Sequence, residues 1–432
     1  RAPPCAVRGD GYSAAMDGNQ ATPGSARHDV DVDAPWRRTA AAAGLLGDAG
    51  PVPTVFETMT GLAVEHGAVN LGQGFPDADG PDALLRLAAD AVLAGPNQYA
   101  PGTGDPALRQ AVAEHRRRHW GVTEDPATQV MITTGATEGI AATVLAFVRP
   151  GDEVVTVEPF YDSHAATIAL AGGRHVSVPV EAPDFLPDPA RVAAAMTDRT
   201  RLLIVNTPHN PTGAVYPREL LEELVALCRS RGVLILSDEV YDHLVYEGEH
   251  VSLRSVAGAE DIALTVSSAG KAFAVTGWKV GWLTGPAELV GAARAVKQFL
   301  TYSSGPAFQR ALGAYLPTDD AERHLAGQRE RYRDARDRLV AGLREAGLDP
   351  VVPAAGYFVV VDLAPWGVTD AAEAAVRWTR EAGVTGIPVG ALCRPDGGHL
   401  RSWLRLAFCK SPDAIDEAMR RLAEAAPRLR AA

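Results

Sequence analysis

Cysteine is scarce in this 432-residue chain: Cys5, Cys228, Cys393 and Cys409 lie far apart, with no CxxC pair. That scatter excludes a disulfide framework and a zinc-binding cysteine cluster, and it fits a reducing, cytoplasmic setting. No apolar run reaches ~18 residues, which excludes a membrane-spanning helix. Basic charge is in deficit, with 41 Lys and Arg against 53 Asp and Glu and a net charge of -12. The balance argues against nucleic acid or an anionic membrane as the main partner. The positive start, apolar core and cleavage pattern of a secretory signal are also missing. What remains is an ordinary globular composition, 47% hydrophobic and 22% charged, long enough for two or three domains.

Residues 1–50 stand apart: rich in Ala, Gly, Asp and Pro, poor in aromatics and without periodicity, they read as a mostly disordered tail. The first residue is Arg, and Met16 offers an alternative start. From about Pro81 strands alternate with helices. Asp105-Pro106 opens a helix, since Asp caps it and Pro suits its first position. Strands follow at 129–134, 153–157, 175–180, 202–206 and 233–236, with helices at 137–148, 163–171 and 217–231 between them. The rhythm predicts an α/β domain over 81–319, a mostly parallel sheet sandwiched by helices. Residues 320–432 read as a smaller α+β domain, with 51–80 packing against it or bridging the two. His115 and His119, four apart on the first helix, have metal-ligand spacing. With Arg116, Arg117 and Arg118 between them and no third ligand in view, all five are expected at the surface.

The chemistry concentrates at predicted strand ends, where ligands of such sheets gather. Ser267-Ser268-Ala269-Gly270-Lys271-Ala272-Phe273 follows an apolar, β-prone segment. A primary amine there suits Schiff-base chemistry once burial or a nearby cation lowers its pKa. Lys279, among Gly277, Trp278 and Gly281, suits a phosphate, and an aldehyde that carries a phosphate is pyridoxal phosphate (PLP). Gly135-Ala136-Thr137 ends a strand and opens a helix, a ready phosphate seat that Ser268 could complete. Asp238 could hold a pyridine nitrogen protonated, making the ring an electron sink. Asn210 and Tyr241 could both bond the ring's phenolic oxygen, and Phe160 could stack on its face. Glu239 is rejected as the carboxylate because strand alternation turns it away. Arg405, inside an apolar strand, needs an anion such as a substrate carboxylate. Each has a plain structural reading: a turn, a helix cap, core packing, a salt bridge. Their convergence is what favours the cofactor.

Together these residues resemble the class I aminotransferases of PLP fold type I, from about Pro53 to the last helix. Five stretches carry the likeness in order: Asn70-Leu71-Gly72-Gln73-Gly74-Phe75-Pro76-Asp77, Asn97-Gln98-Tyr99, the Asn210 turn, Asp238 to Tyr241, and Ser268 to Lys271 with Gly277-Trp278-Lys279. Within the class the chain is similar to the kynurenine/glutamine aminotransferase subgroup. Its nearest likeness there is the branch of the actinobacterial N-succinyldiaminopimelate aminotransferases, on Glu158-Pro159-Phe160-Tyr161-Asp162-Ser163 and Lys297-Gln298-Phe299-Leu300-Thr301-Tyr302. The resemblance implies a large domain with a sheet of the seven-stranded type, PLP as cofactor, and an amino acid and a 2-oxo acid, plausibly 2-oxoglutarate, as substrates. It also implies a homodimer with shared active sites. Tyr99 would reach the neighbour's phosphate, Tyr302 would line the partner's pocket, and Gly74 would lie against the substrate carboxylate. Thr54 stands where kynurenine-type members carry a pocket Trp and Ser303 where they carry a His, which weakens the case for an aromatic substrate.

The implied reaction is ping-pong transamination. Lys271 acts as general base and acid, Asp238 and Tyr241 tune the ring, and Arg405 with Asn210 aligns the substrate. Two other readings stay open. One is a kynurenine-, glutamine- or methionine-type enzyme that also cleaves cysteine S-conjugates by β-elimination. The other is a PLP-sensing regulator, for which the tail is too short and too acidic to be a winged helix.

Overall fold

The expected alternation builds a seven-stranded sheet in the computed structural model, which describes residues 34–47, 50–394 and 398–430. In chain order the strands are β1 (Val130–Thr134), β2 (Glu153–Glu158), β3 (Arg174–Pro179), β4 (Thr200–Asn206), β5 (Leu234–Asp238), β6 (Ala263–Ser268) and β7 (Val280–Thr284). They lie side by side as β1-β7-β6-β5-β4-β2-β3. Five of them, β2 through β6, run parallel, while β7 is antiparallel to both β6 and β1. The central strands are buried on both faces, as a sheet covered by helices requires. Side-chain alternation divides their residues between two cores. Leu202 and Ile204 of β4 join one cluster, and Leu203 and Val205 the other.

Helix ends follow their local chemistry. In α1 (Pro106–Trp120) the Asp105 carboxylate accepts from the amides of Ala107 and Leu108, at 2.8 and 3.3 Å. Gly121 ends that helix in the left-handed conformation, φ +66°. A second, four-stranded antiparallel sheet comprises β8 (Pro350–Val351), β9 (Phe358–Asp362), β10 (Ile387–Pro388) and β11 (Trp403–Ala407), ordered β8-β9-β11-β10. Beside it Val69–Asn70 pairs in parallel with Val384–Thr385, which ties the segment before Pro81 to the C-terminal elements.

Some expectations need correction. The proposed disordered tail falls mostly outside the described residues, but Pro35–Ala42 is a helix lying against Asp162–Leu170. His115 and Arg116 are not surface residues: they are 3% and 1% exposed. Arg116 is paired with Glu124 at 2.8 Å and Glu239 at 3.7 Å. A buried guanidinium is tolerable only with such partners. Glu239 does turn from the end of β5 as expected, yet into the interior, where it accepts from Ser252 Oγ and the Leu253 amide. Arg117 and Arg118 are exposed.

Candidate active site

β4, β5 and β6 end in Asn206, Asp238 and Ser268, and all three line a cavity of about 300 Å³. The helix Gly135–Phe147 starts at its rim directly after β1, so its free amides open towards the cavity. Two glycines make this approach possible. Gly135 takes φ +70°, and a Cβ on Gly281 of β7 would meet the Ala136 amide nitrogen at 2.8 Å. Lys279 lines the same end, and a Cβ on Gly135 would lie 3.2 Å from its Nζ. Among the described residues Lys279 has no ion-pair partner. A cationic amine beside free helix amides is an anion seat.

Lys271 sits on the short helix Ala269–Ala272 just beyond β6, where the Ser268 hydroxyl caps the turn by accepting from the Gly270 amide. Its amine donates to Tyr357 Oη at 2.8 Å, and Tyr357 Oη donates in turn to the Gly74 carbonyl at 2.6 Å. Burial lowers its pKa to about 8, an effect reinforced by the Lys279 and Arg405 charges and opposed by Asp238. An amine so tuned is partly neutral at physiological pH and can act as nucleophile or base. Reductive methylation of Lys271 should therefore reach half its maximal rate near pH 8, as mass spectrometry of the labelled peptide can show. A midpoint at the ordinary lysine value, 10.5, would mean a solvated amine. The linkage runs the same way. Between about pH 8 and 10.5 the unfolded chain holds a proton that the folded chain has lost, so this group adds stability as pH rises through that window.

Across the cavity stands Arg405 of β11, 2% exposed. Its Nη2 donates to the Gly72 carbonyl at 3.0 Å and its Nη1 to Asn210 Oδ1 at 3.2 Å, while Nε is buried without a partner. The guanidinium lies 4.0 Å from the Phe358 ring centroid and 5.3 Å from that of Phe56. Burial brings its pKa down to about 10, still fully charged at neutral pH. No carboxylate forms an ion pair with it among the described residues. A buried cation held only by neutral acceptors and aromatic faces is a receptor for an anion.

Eleven residues singled out from the sequence line this one cavity: Gly74, Gly135, Ala136, Thr137, Asn210, Asp238, Tyr241, Ser268, Lys271, Lys279 and Arg405. Phe160 does not. The chain turns at Pro159, so Phe160 packs edge-on against His175, ring centroids 4.6 Å apart, and its amide bonds the Leu392 carbonyl. Its neighbour Tyr161 lines the cavity instead. Tyr99 and Tyr302 also lie outside the cavity lining and pack edge-to-face on each other at 5.3 Å. Sequence reasoning missed Phe56, Phe358 and the hydroxyl of Tyr357. It also missed His164, whose Nε2 lies 3.6 Å from Asp238 Oδ2. Only long-range contacts reveal these, except that the aromatic pair Phe160-Tyr161 after a strand already offered two candidates for one face.

The donors fit a flat, phosphorylated heterocycle: an anion seat at one end, a carboxylate at the strand ends, an amine between them, and buried Arg405 with an unused donor for a second anion. Residues 67–422 match the family model for aminotransferase class I and II. The chain belongs to the class I and II aminotransferases. It is 45% identical over 386 residues to the probable N-succinyldiaminopimelate aminotransferase DapC of Mycobacterium tuberculosis, covering 87% of this chain and 96% of that one. It is 38% identical over 371 residues to the methionine aminotransferase of Escherichia coli, covering 85% and 95%. The solved structure of N-succinyldiaminopimelate aminotransferase from Mycobacterium tuberculosis superposes with a TM-score of 0.84 over 86% of this chain and 97% of that one. This aminotransferase therefore has PLP fold type I. No helix among its described residues is long and apolar enough to cross a membrane.

Proposed function

We propose that this aminotransferase holds PLP on Lys271 and exchanges amino groups between an N-acylated diamino dicarboxylic acid, of the N-succinyldiaminopimelate type, and 2-oxoglutarate. The observation that carries the proposal is a single cavity lined by a partly neutral amine, Lys271, by the Asp238 carboxylate and by the Arg405 guanidinium, which has no ion-pair partner among the described residues. The amides of Gly135, Ala136 and Thr137, with Ser268 and Lys279, would hold the phosphate. Asp238, steadied by His164, would hold the ring nitrogen, Asn210 and Tyr241 the phenolic oxygen, and Tyr161 the ring face. When bound, PLP supplies an aldehyde for the amino group and a cationic ring that accepts the electrons of the broken Cα–H bond.

The protein's own groups do the rest. Arg405 and Asn210 clamp the substrate α-carboxylate and so fix which bond faces Lys271. Neutral Lys271 would take the proton from the substrate Cα and, as the ammonium so formed, would return it to the carbon derived from the cofactor's aldehyde. Tyr357 keeps the amine on station, and the Phe56 and Phe358 rings keep water from the Arg405 clamp. Substrate choice follows from the similarity to the mycobacterial enzyme. Thr54, which caps the helix Val55–Glu65 through its hydroxyl, supports it, because a threonine there offers no flat surface for an aromatic side chain. An amino-donor screen with 2-oxoglutarate should rank N-succinyldiaminopimelate above kynurenine, methionine and glutamine in kcat/KM by at least ~10-fold, the scale on which pocket shape discriminates. Equal or better use of kynurenine would overturn the substrate assignment and leave the aminotransferase intact.

A homodimer forms part of the proposal. Tyr99 and Phe299 are 83% and 89% exposed, and Tyr99 and Tyr302 stand away from this chain's own cavity. The arrangement suits side chains that serve the site of a second copy.

A further inference from the structure

The helix α1 carries His115 and His119 on adjacent turns, and neither serves the cavity described above. Glu322, in the first turn of the helix Asp319–Glu345, comes to meet them. One ligand atom from each of the three lies within 4.8 Å of the others. Donor capacity is left over on two of them. His115 Nδ1 is buried without a partner. Glu322 spends Oε1 on both Arg118 Nη1, at 2.6 Å, and His119 Nε2, at 3.1 Å, and Oε2 makes no hydrogen bond among the described residues. His243 backs the group: its Nε2 stands 2.7 Å from His115 Nε2, and its ring centroid lies 4.7 and 4.9 Å from those of His115 and His119. A nitrogen-to-nitrogen hydrogen bond needs one unprotonated acceptor, so at least one of these two rings is neutral. Trp120 packs against His119 and His243 and walls the cluster.

We propose that His115, His119 and Glu322 form a binding site for a divalent transition-metal ion, with His243 orienting the His115 ring and solvent completing the coordination. Two imidazoles and one carboxylate match the ligand preference of zinc and cobalt, which sit about 2.0–2.2 Å from such atoms. Ligand atoms within 4.8 Å of one another need move only modestly to enclose an ion at that distance. A ring nitrogen bonded to a neighbour, as in His115, is the usual way a metal-binding imidazole is held in place. The ion would displace the contact of Arg118 with Glu322 and fasten α1 to the start of the helix Asp319–Glu345. The site is separate from the cofactor seat, and its role is to brace the fold.

Titration of the full chain, loaded with its cofactor, with Co²⁺ tests this. One Co²⁺ per chain should bind with a visible d–d absorption, displaced by Zn²⁺, and Zn²⁺ should raise the melting temperature. His119→Ala and Glu322→Gln, both at partly exposed positions, should each weaken binding at least about tenfold while amino transfer persists. Arg118→Ala should tighten it by freeing Glu322. Lys271→Ala should leave it unchanged, which separates this site from metal held at the cofactor. Absence of the absorption, or binding indifferent to His119→Ala and Glu322→Gln, would overturn the proposal and leave the cluster as an Arg118–Glu322–His119 ion-pair group.

Discussion

Lys271→Ala should lower the rate of amino transfer by about 10⁴-fold or more. The amine is asked to do two things, to hold the cofactor and to move the substrate proton, while the cavity's other amine, Lys279, is assigned to the phosphate seat. Tyr357 bonds the amine and the Tyr241 ring lies 6.0 Å from it, and burial raises both hydroxyl pKa values above their ordinary value. Neither can take a carbon-bound proton at neutral pH. The fold should not suffer, because burial disfavours the Lys271 charge and the truncated side chain leaves only the Tyr357 hydroxyl without its donor. Circular dichroism and melting temperature should thus match the parent. A small primary amine added to the variant should restore part of the rate, since the vacated space adjoins an open cavity. Tyr357→Phe provides the contrast. It removes one hydrogen bond to the amine, worth about 1 kcal/mol, and should slow transfer only about fivefold to tenfold. Normal turnover by Lys271→Ala would remove this residue from the chemistry.

Much of this site was legible in the sequence because parallel strands advertise themselves. The runs ending at Asn206 and Asp238 are apolar, five to seven residues long, and followed by polar turns, so the polar residues after them had to lie at the carboxyl edge of a sheet. Lys271 and Gly135 follow from the same logic. What escaped depends on geometry that a strand pattern does not carry. β7 follows directly on Lys279, and its residues Val280–Thr284 were absorbed into the phosphate reading. An antiparallel strand inserted between β1 and β6 breaks the βα alternation that identified the others. Phe160 and Tyr161 differ by one residue at a turn, where alternation stops and either could face the ring. Arg116 looked like one of three solvated arginines because one of its two partners, Glu239, lies far along the chain, past five strands. The third metal-ligand candidate, Glu322, was out of view for the same reason, and so was the Tyr357 hydroxyl, 86 residues from the amine that it holds.

Arg405→Leu should reduce kcat/KM for both amino donor and oxo-acid acceptor by about 10²- to 10³-fold. Removing one partner of a desolvated charge pair costs about 2–5 kcal/mol, and the substrate carboxylate would be the other partner here. Both kcat and KM should change, since the clamp binds the substrate and also aims its Cα–H bond at Lys271. Arg405→Lys should fall between the two: an ammonium keeps the charge but cannot form the planar fork that now reaches both Gly72 and Asn210. Stability is the discriminating measurement. An arginine retained for a structural salt bridge would leave a buried carboxylate unpaired on removal, and the melting temperature would drop by the several degrees that 3–5 kcal/mol implies. Among the described residues Arg405 has no such carboxylate, and Asp162, whose charge acts on it from a distance, is itself pushed up by burial. The substrate-free Leu variant should therefore melt no lower than the parent, because it no longer buries a cation without an ion-pair partner among Phe56, Phe358 and Tyr241. A large loss of stability with unchanged kinetics would assign Arg405 to the architecture of β11 and leave the carboxylate clamp without its cation.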